Sequence, residues 1–258
     1  MNYFDFSSVA ERYAKGRPYF HPNTIDHIQQ TLEIAGKLDK ILDVACGTGL
    51  SSKALLAIGH QVIGTDISEE MLAYARQEID IEFLQSPAET LPFTDGEFDL
   101  ITVSSGVHWF DIDAFLTECH RLLKPYAFLV LYENYFLAEM EGDDTFQSWV
   151  RQSYLGRFPS PPRNRNYDWQ DENLGRFGLR QMQEERFKNS ISFTPDQLIL
   201  YFTTQSNITA ALQDGKTSYS EVEAWLEQEL SVFFPTRESV RHISYGNWVK
   251  YIQKVSDR

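Results

Sequence analysis

This chain of 258 residues has little that would serve metal or redox chemistry. Cysteine occurs twice, at Cys46 and Cys119, in neither a CxxC pair nor a Cys/His cluster. That excludes a disulfide framework and a thiolate metal site, and it fits a reducing cytoplasm. The six histidines are scattered without HxxxH spacing, so no metal site is read. Positive charge is also scarce: 23 Lys and Arg stand against 37 Asp and Glu, a net of −14. Such an acidic chain is a poor partner for nucleic acid, whose phosphates demand a basic surface. No apolar run reaches the roughly 18 residues of a membrane span, and the N-terminal MNYFDFSSVAERY carries an early acid where a signal peptide would be apolar. Neither a membrane partner nor export is expected, and oligomeric state is not legible.

Present instead is a stretch that organises the rest, ILDVACGTGLSS from Ile41 to Ser52. It reads as an apolar strand, an acid, a glycine turn and the first turn of a helix. That order opens nucleotide-type α/β folds, where glycine lets backbone approach a ligand that a Cβ would repel. Strands then alternate with helices. Strands are expected at Ile41 to Ala45, Gln61 to Thr65, Ile81 to Leu84, Phe98 to Val103 and Ala127 to Tyr132. Helices are expected at His21 to Gly36, Leu50 to Ile58, after the Ser68 cap, and at Asp111 to Leu123, where Pro125 should break the chain. The alternation implies a parallel sheet covered on both faces, with ligands at the carboxyl ends of its strands.

Before this unit, Ser7 or Ser8 caps a short helix that Arg17-Pro18 ends, and Tyr13 and Arg17 stand four apart on it. After it, 134–190 is rich in Arg, Asn, Pro and aromatics and reads as an inserted cap. Its stretch from Arg151 to Lys188 holds eight basic and five acidic residues. A strand at Arg186 to Phe193 crosses into the remainder, 191–258, which supplies helices at Pro195 to Tyr201 and Glu221 to Leu230 and a last strand at His242 to Gln253. The whole reads as a single domain with a cofactor-binding half at 37–133.

Gly47-Thr48-Gly49 nearly matches GxGxxG, which alone is a weak signal, and Asp66 follows at the distance where an acid takes a ribose. Asp43 discriminates between the ligands. A pyrophosphate loop gains from a helix N-terminus and tolerates a carboxylate badly, whereas an ammonium or sulfonium group welcomes one. DVACGTG, followed by SPAETLPF after strand three, resembles the first motifs of the class I S-adenosylmethionine-dependent methyltransferases. FSSVAERYAKGRPYF and SSGVHWFDIDAF resemble motifs of their small-molecule group, which includes trans-aconitate methyltransferases. The resemblance implies a Rossmann-like, seven-stranded, mostly parallel sheet with helices on both faces, the last strand antiparallel, and an inserted helical cap. It also implies that Asp43, Gly47 and Gly49 surround the methionyl part of S-adenosylmethionine, with Ala45 and Ser104 also among the cofactor-binding residues. Asp66 would take the ribose, Ile67 would pack on adenine with Ala88 and Glu89 at its edge, and Tyr13 and Arg17 would close over the carboxylate end. In departures from the family pattern, Ala45 stands where a glycine is common, Pro87 where an Asp is common, and Pro125-Tyr126-Ala127 where Pro-Gly-Gly is usual.

Methyl transfer from a sulfonium is an in-line displacement that needs positioning rather than a covalent nucleophile. His108 and Trp109 follow strand four at its carboxyl end, where an acceptor would sit. His108 could act as a base, or only hydrogen-bond a carboxylate. Arg151, Arg163 and Arg165 in the basic cap are candidate ligands for an anionic acceptor, since arginine grips carboxylates with a planar fork. Two other readings stay open: a nicotinamide-dependent oxidoreductase, and a protein that binds S-adenosylmethionine without turnover.

Overall fold

The apolar positions of five segments form one continuous side of a sheet. In the computed structural model, which describes residues 13–78, 80–161 and 167–255, the strands are β1 (Leu38–Val44), β2 (Gly59–Asp66), β3 (Glu82–Gln85), β4 (Phe98–Ser104), β5 (Leu123–Met140), β6 (Leu179–Phe193) and β7 (Arg241–Lys254). Their order is β3-β2-β1-β4-β5-β7-β6, a seven-stranded mixed sheet, mostly parallel, with β7 antiparallel. The parallel pairs β1 with β2, β1 with β4, β2 with β3 and β4 with β5 form the first part. Successive residues face opposite sides, as the two-residue period of a strand requires. Leu42, Ile101, Leu129 and Leu131 join one apolar cluster, while Ile41, Leu100, Val130 and Tyr132 join another.

Helices cover both faces. α1 (His21–Thr31), α2 (Leu50–Leu55), α3 (Glu69–Glu78) and α4 (Ile112–Leu122) connect or flank the first strands. The Ser68 hydroxyl accepts from the Met71 backbone N–H at the start of α3, and Asp111 caps α4 through the Ala114 N–H. The expected N-terminal helix lies outside the described residues except for its last turn, 13–16.

Two differences from the sequence reading concern strand ends. Pro125 does not separate a helix from a later strand, because β5 begins at Leu123 and contains it. The chain accommodates the missing N–H by shifting register against β4 between Phe98 and Leu100, with Tyr126 at φ 64°. β5 also runs past the charged Glu133 to Met140. Glu133 does not end it, since the acid accepts a hydrogen bond from Trp248 Nε1 at 3.0 Å.

The chain divides into two compact units, each with its own core. The core unit comprises 19–134, 163–187 and 247–258, and the second unit 1–18, 135–162 and 188–246. The second unit is built around Phe146, Tyr154, Phe202, Leu226 and Tyr245. It includes α5 (Pro195–Thr203), α6 (Ser206–Gln213) and α7 (Tyr219–Leu230). Complete capping boxes start α5 at Thr194 and Gln197 and α7 at Ser218 and Glu221. The second unit holds 188–246 and leaves 163–187 to the core unit.

Gly64, the β2 partner of Asp43, tests how tightly the sheet centre is packed. A Cβ there would lie 2.6 Å from the Phe83 ring and 2.9 Å from Cys46 Sγ. Gly64→Ala should lower stability by about 1–3 kcal/mol in urea unfolding, the cost of overpacking. An unchanged midpoint would show that β2 yields there.

Candidate active site

Asp43 closes β1 with a carboxylate that has no exposed surface. Ser51 and Ser52 hydroxyls, on the first turn of α2, each donate to Oδ2 at 2.6 Å, and Thr102 on β4 donates to Oδ1 at 2.9 Å. Thr102 is also the β4 register partner of Asp43. Burial, with a smaller push from the charge of Asp66, raises the Asp43 pKa to about 6, while the three hydroxyls oppose the rise. Asp43 acts from inside the loop, with its oxygens taken by hydroxyls. The sequence reading missed Ser51, Ser52 and Thr102 as its partners; the signal was a threonine within the apolar run of β4.

Above this carboxylate the backbone makes a run of left-handed residues: Ala45 at φ 54°, Gly47 at φ 56° and Gly49 at φ 80°. A Cβ at Gly47 would meet no protein atom within 4 Å, so what calls for glycine there is its left-handed conformation. Ala45 adopts the same region at a cost of about 1–2 kcal/mol. Its Cβ lies where Gly106, after β4, must stay small: a Cβ on Gly106 would come within 2.9 Å of it.

Asp66 ends β2 and orders the loop from the other side. Gly47 N–H donates to Oδ2 at 2.8 Å and Ser68 N–H to Oδ1 at 2.9 Å. Burial raises its pKa, and these backbone donors oppose the rise. Beside it Ile67 is 60% exposed, an apolar surface at the carboxyl edge of the sheet, and its carbonyl accepts from Gln85 Nε2. Ala88 is buried, and Glu89 accepts the Asp111 N–H at 2.9 Å, tying the segment after β3 to the start of α4. Arg121 and Glu118 hold that segment as well. Glu118 accepts from the Leu91 N–H and pairs with Arg121, which donates to the Leu91 and Phe93 carbonyls. Neither residue carries a motif signal in the sequence.

After β4, Val107–Trp109 forms a turn of 3-10 helix with the His108 and Trp109 rings 4.8 Å apart. Trp109 is 47% exposed, and His108 is half-buried. Ser104, also half-buried, closes β4. Beneath, Tyr132 on β5 lies 3.0 Å from His21 Nδ1, and burial pushes the His21 imidazole down to about 3, so it is neutral.

The remaining candidates belong to the second unit or lie outside the described residues. Tyr13 and Arg17 stand in the second unit, where Arg17 donates to the Thr204 carbonyl at 3.3 Å. Arg151 is exposed there on a π-helical turn, Val150–Tyr154. Arg163 and Arg165 lie outside the described residues. Three basic side chains in the described part of the basic stretch have acidic partners. Arg176 reaches Asn173 and Asp113, Arg186 pairs with Glu184, and Lys188 pairs with Glu139. Acids distant in sequence thus meet charges that a count along the chain leaves unbalanced. Among the described residues no group of three or more His, Cys, Asp or Glu could hold a metal, and no helix is long and apolar enough to cross a membrane.

Two measurements probe this arrangement. The folded Asp43 pKa, about 6, lies above its ordinary 3.8, so folding takes up a proton between those values, and acidification favours the fold through this group. Against Asp43→Asn at each pH, the wild-type chain should gain about 1 kcal/mol in urea unfolding between pH 7 and pH 5. A constant difference would place the carboxyl outside its buried setting. Separately, Gly106→Ala should destabilise by about 1–3 kcal/mol, and Ala45→Gly should restore part of that loss. Strict additivity in the double mutant would show that the two positions do not touch.

Known proteins resemble parts of this chain. The family described as "Methyltransferase domain" matches residues 42–131. A Bacillus subtilis protein assigned as a methyltransferase, YqeM, is 31% identical over 60% of this chain and 68% of its own length. The demethylmenaquinone methyltransferase of Chlorobaculum tepidum is 46% identical over 33% of this chain and 37% of its own length. The chain therefore spans between about a third and two thirds of these two relatives. A solved structure from Anaeromyxobacter dehalogenans, assigned as a type II methyltransferase, covers 93% of this chain and 99% of its own with a TM-score of 0.73 at 19% identity, a likeness of fold. With Asp43, the glycine loop and Asp66 at the carboxyl edge of such a sheet, the chain belongs to the class I S-adenosylmethionine-dependent methyltransferases.

Proposed function

We propose that the protein methylates a small organic acid, at a carboxylate or hydroxyl oxygen, by direct transfer from S-adenosylmethionine. The observation that carries the cofactor part is the paired use of Asp66, whose oxygens accept the Gly47 and Ser68 N–H groups. The same carboxylate is thereby fixed at the end of β2 with lone pairs left for ribose hydroxyls. Ile67 offers an apolar face for adenine, with Ala88 and Glu89 at its edge. Gly47 and Gly49 admit the methionyl chain over a loop that Ala45 and Asp43 shape and Ser104 borders.

Bound S-adenosylmethionine supplies an electrophilic methyl group on a sulfonium. The acceptor oxygen bonds to that carbon as the carbon–sulfur bond breaks, and the electron pair leaves on sulfur, giving the methylated product and S-adenosylhomocysteine. A carboxylate acceptor has no proton to lose, so His108 would only orient it; a hydroxyl acceptor would give its proton to His108. Trp109, exposed beside that ring, offers an apolar surface against the acceptor. The protein's main contribution is alignment and exclusion of water. The resemblance to the trans-aconitate methyltransferase group supports the organic acid; the demethylmenaquinone relative overlaps too little of this chain to weigh against it.

S-adenosylhomocysteine should raise the melting temperature, by about 2.7 kcal/mol of added stability at a hundred times its Kd, while NAD should not. Asp66→Ala should abolish that shift. With labelled S-adenosylmethionine, carboxylic acids should accept methyl; a panel of acids that stays inert while a phenol or amine reacts would sink the acid assignment, and a shift with NAD alone would sink the cofactor.

A further inference from the structure

Tyr132 puts a polar group in the apolar middle of β5. It is 1% exposed, and its hydroxyl lies 3.0 Å from Nδ1 of His21, the first residue of α1. The Phe20 ring stacks on that imidazole at 4.1 Å, and the Tyr132 ring meets it edge-on at 5.9 Å. Burial, and after it the charge of Asp43, pushes the Tyr132 phenol far above its ordinary range, while hydrogen bonding by the Ser104 and Ser51 hydroxyls opposes the rise. The phenol therefore keeps its proton, and the buried, neutral His21 carries a single one. The main chain of Tyr132 serves the same region. Its carbonyl accepts the Ser105 N–H at 2.9 Å, and Ser105 stands in the left-handed region at φ 56°. One residue of β5 thus reaches α1, the first turn of α2 and the end of β4, all within the core unit.

A hydroxyl has one proton, and Ser51 gives its own to Asp43 Oδ2 at 2.6 Å, so toward Tyr132 it can only accept. We propose that His21, Tyr132 and Ser51 form one directed row of donors ending on Asp43, and that Tyr132 and His21 are thereby positioning residues for the methionyl end of S-adenosylmethionine. With the phenol donating to Ser51, its oxygen is an acceptor and the imidazole carries its proton on Nδ1. Donors that all point one way polarise each other, and here the row ends on a buried carboxylate. Removing the phenol would leave the His21 N–H and the Ser51 oxygen unanswered in the interior and Ser104 loose at the loop's border. Asp66 and Ile67, which serve the adenosine half, keep bonds of their own, to the Ser68 N–H and to Gln85. The assignment rests on the methyltransferase reading above, in which the loop from Ala45 to Gly49 carries the methionyl chain.

The test titrates the full chain calorimetrically with S-adenosylhomocysteine and with 5′-methylthioadenosine, which has the adenosine part and no amino-acid part. Tyr132→Phe and His21→Leu should each weaken S-adenosylhomocysteine about tenfold while 5′-methylthioadenosine stays within about twofold of wild type, which also reports that the variants are folded. His21→Asn, whose amide can donate from the place of Nδ1, should recover most of the loss. Variants that bind both ligands as wild type does overturn the proposal. So do variants that lose both alike, since a general loosening of the fold would do the same. A second measurement needs only the wild-type chain, labelled with 15N-histidine: two-bond 15N–1H correlations should place the His21 proton on Nδ1, the signals being those missing from His21→Asn. A proton on Nε2 overturns the proposal, because the phenol would then donate to His21 and the row would stop short of Ser51. If the wild-type chain binds neither ligand, the cofactor reading itself has failed, and that outcome is seen before any variant is made.

Discussion

A carboxylate with no exposed surface holds the site together. Asp43 joins the end of β1, the first turn of α2 and the centre of β4 through three hydroxyls. A buried charge is tolerable only where its lone pairs are answered, so the positions of Ser51, Ser52 and Thr102 are as constrained as that of the acid. The left-handed turn from Ala45 to Gly49 is built on this anchor. Its conformation would be costly in isolation and persists because the structure on either side fixes it.

Asp66 fixes the same turn from β2, so two acids of different environment frame one loop. The buried one is spent on the protein. The other lies at the strand end with lone pairs beyond its two backbone donors, and it is the one suited to a ligand. Farther along the carboxyl edge, Arg121 and Glu118 hold the segment after β3 by bonding its backbone. Burial, the usual cost of a charged group, is offset here by pairing within the loop it serves.

The two units differ in composition. The core unit carries the glycine loop, Asp66 and the turn after β4; the second carries an aromatic core with Arg17 at its edge. A charge count along the sequence pointed to a positive lobe. In three dimensions Asp113 and Glu139, both outside that stretch, meet Arg176 and Lys188.

The sequence by itself determined the alternating strands and helices, the parallel arrangement of the first five strands and the acids around the glycine turn. These are local properties: apolar periodicity, capping residues and backbone conformations that glycine favours are all legible at short range. It mislaid the ends of β5 and the start of β6, because Pro125 and Glu133 look like breakers until a register shift and Trp248 accommodate them. Only the tertiary structure decided that Asp43 faces inward, since its donors are eight, nine and 59 residues away. It also decided which charges find partners, because pairing depends on which distant segments meet, and spacing along the chain does not encode that.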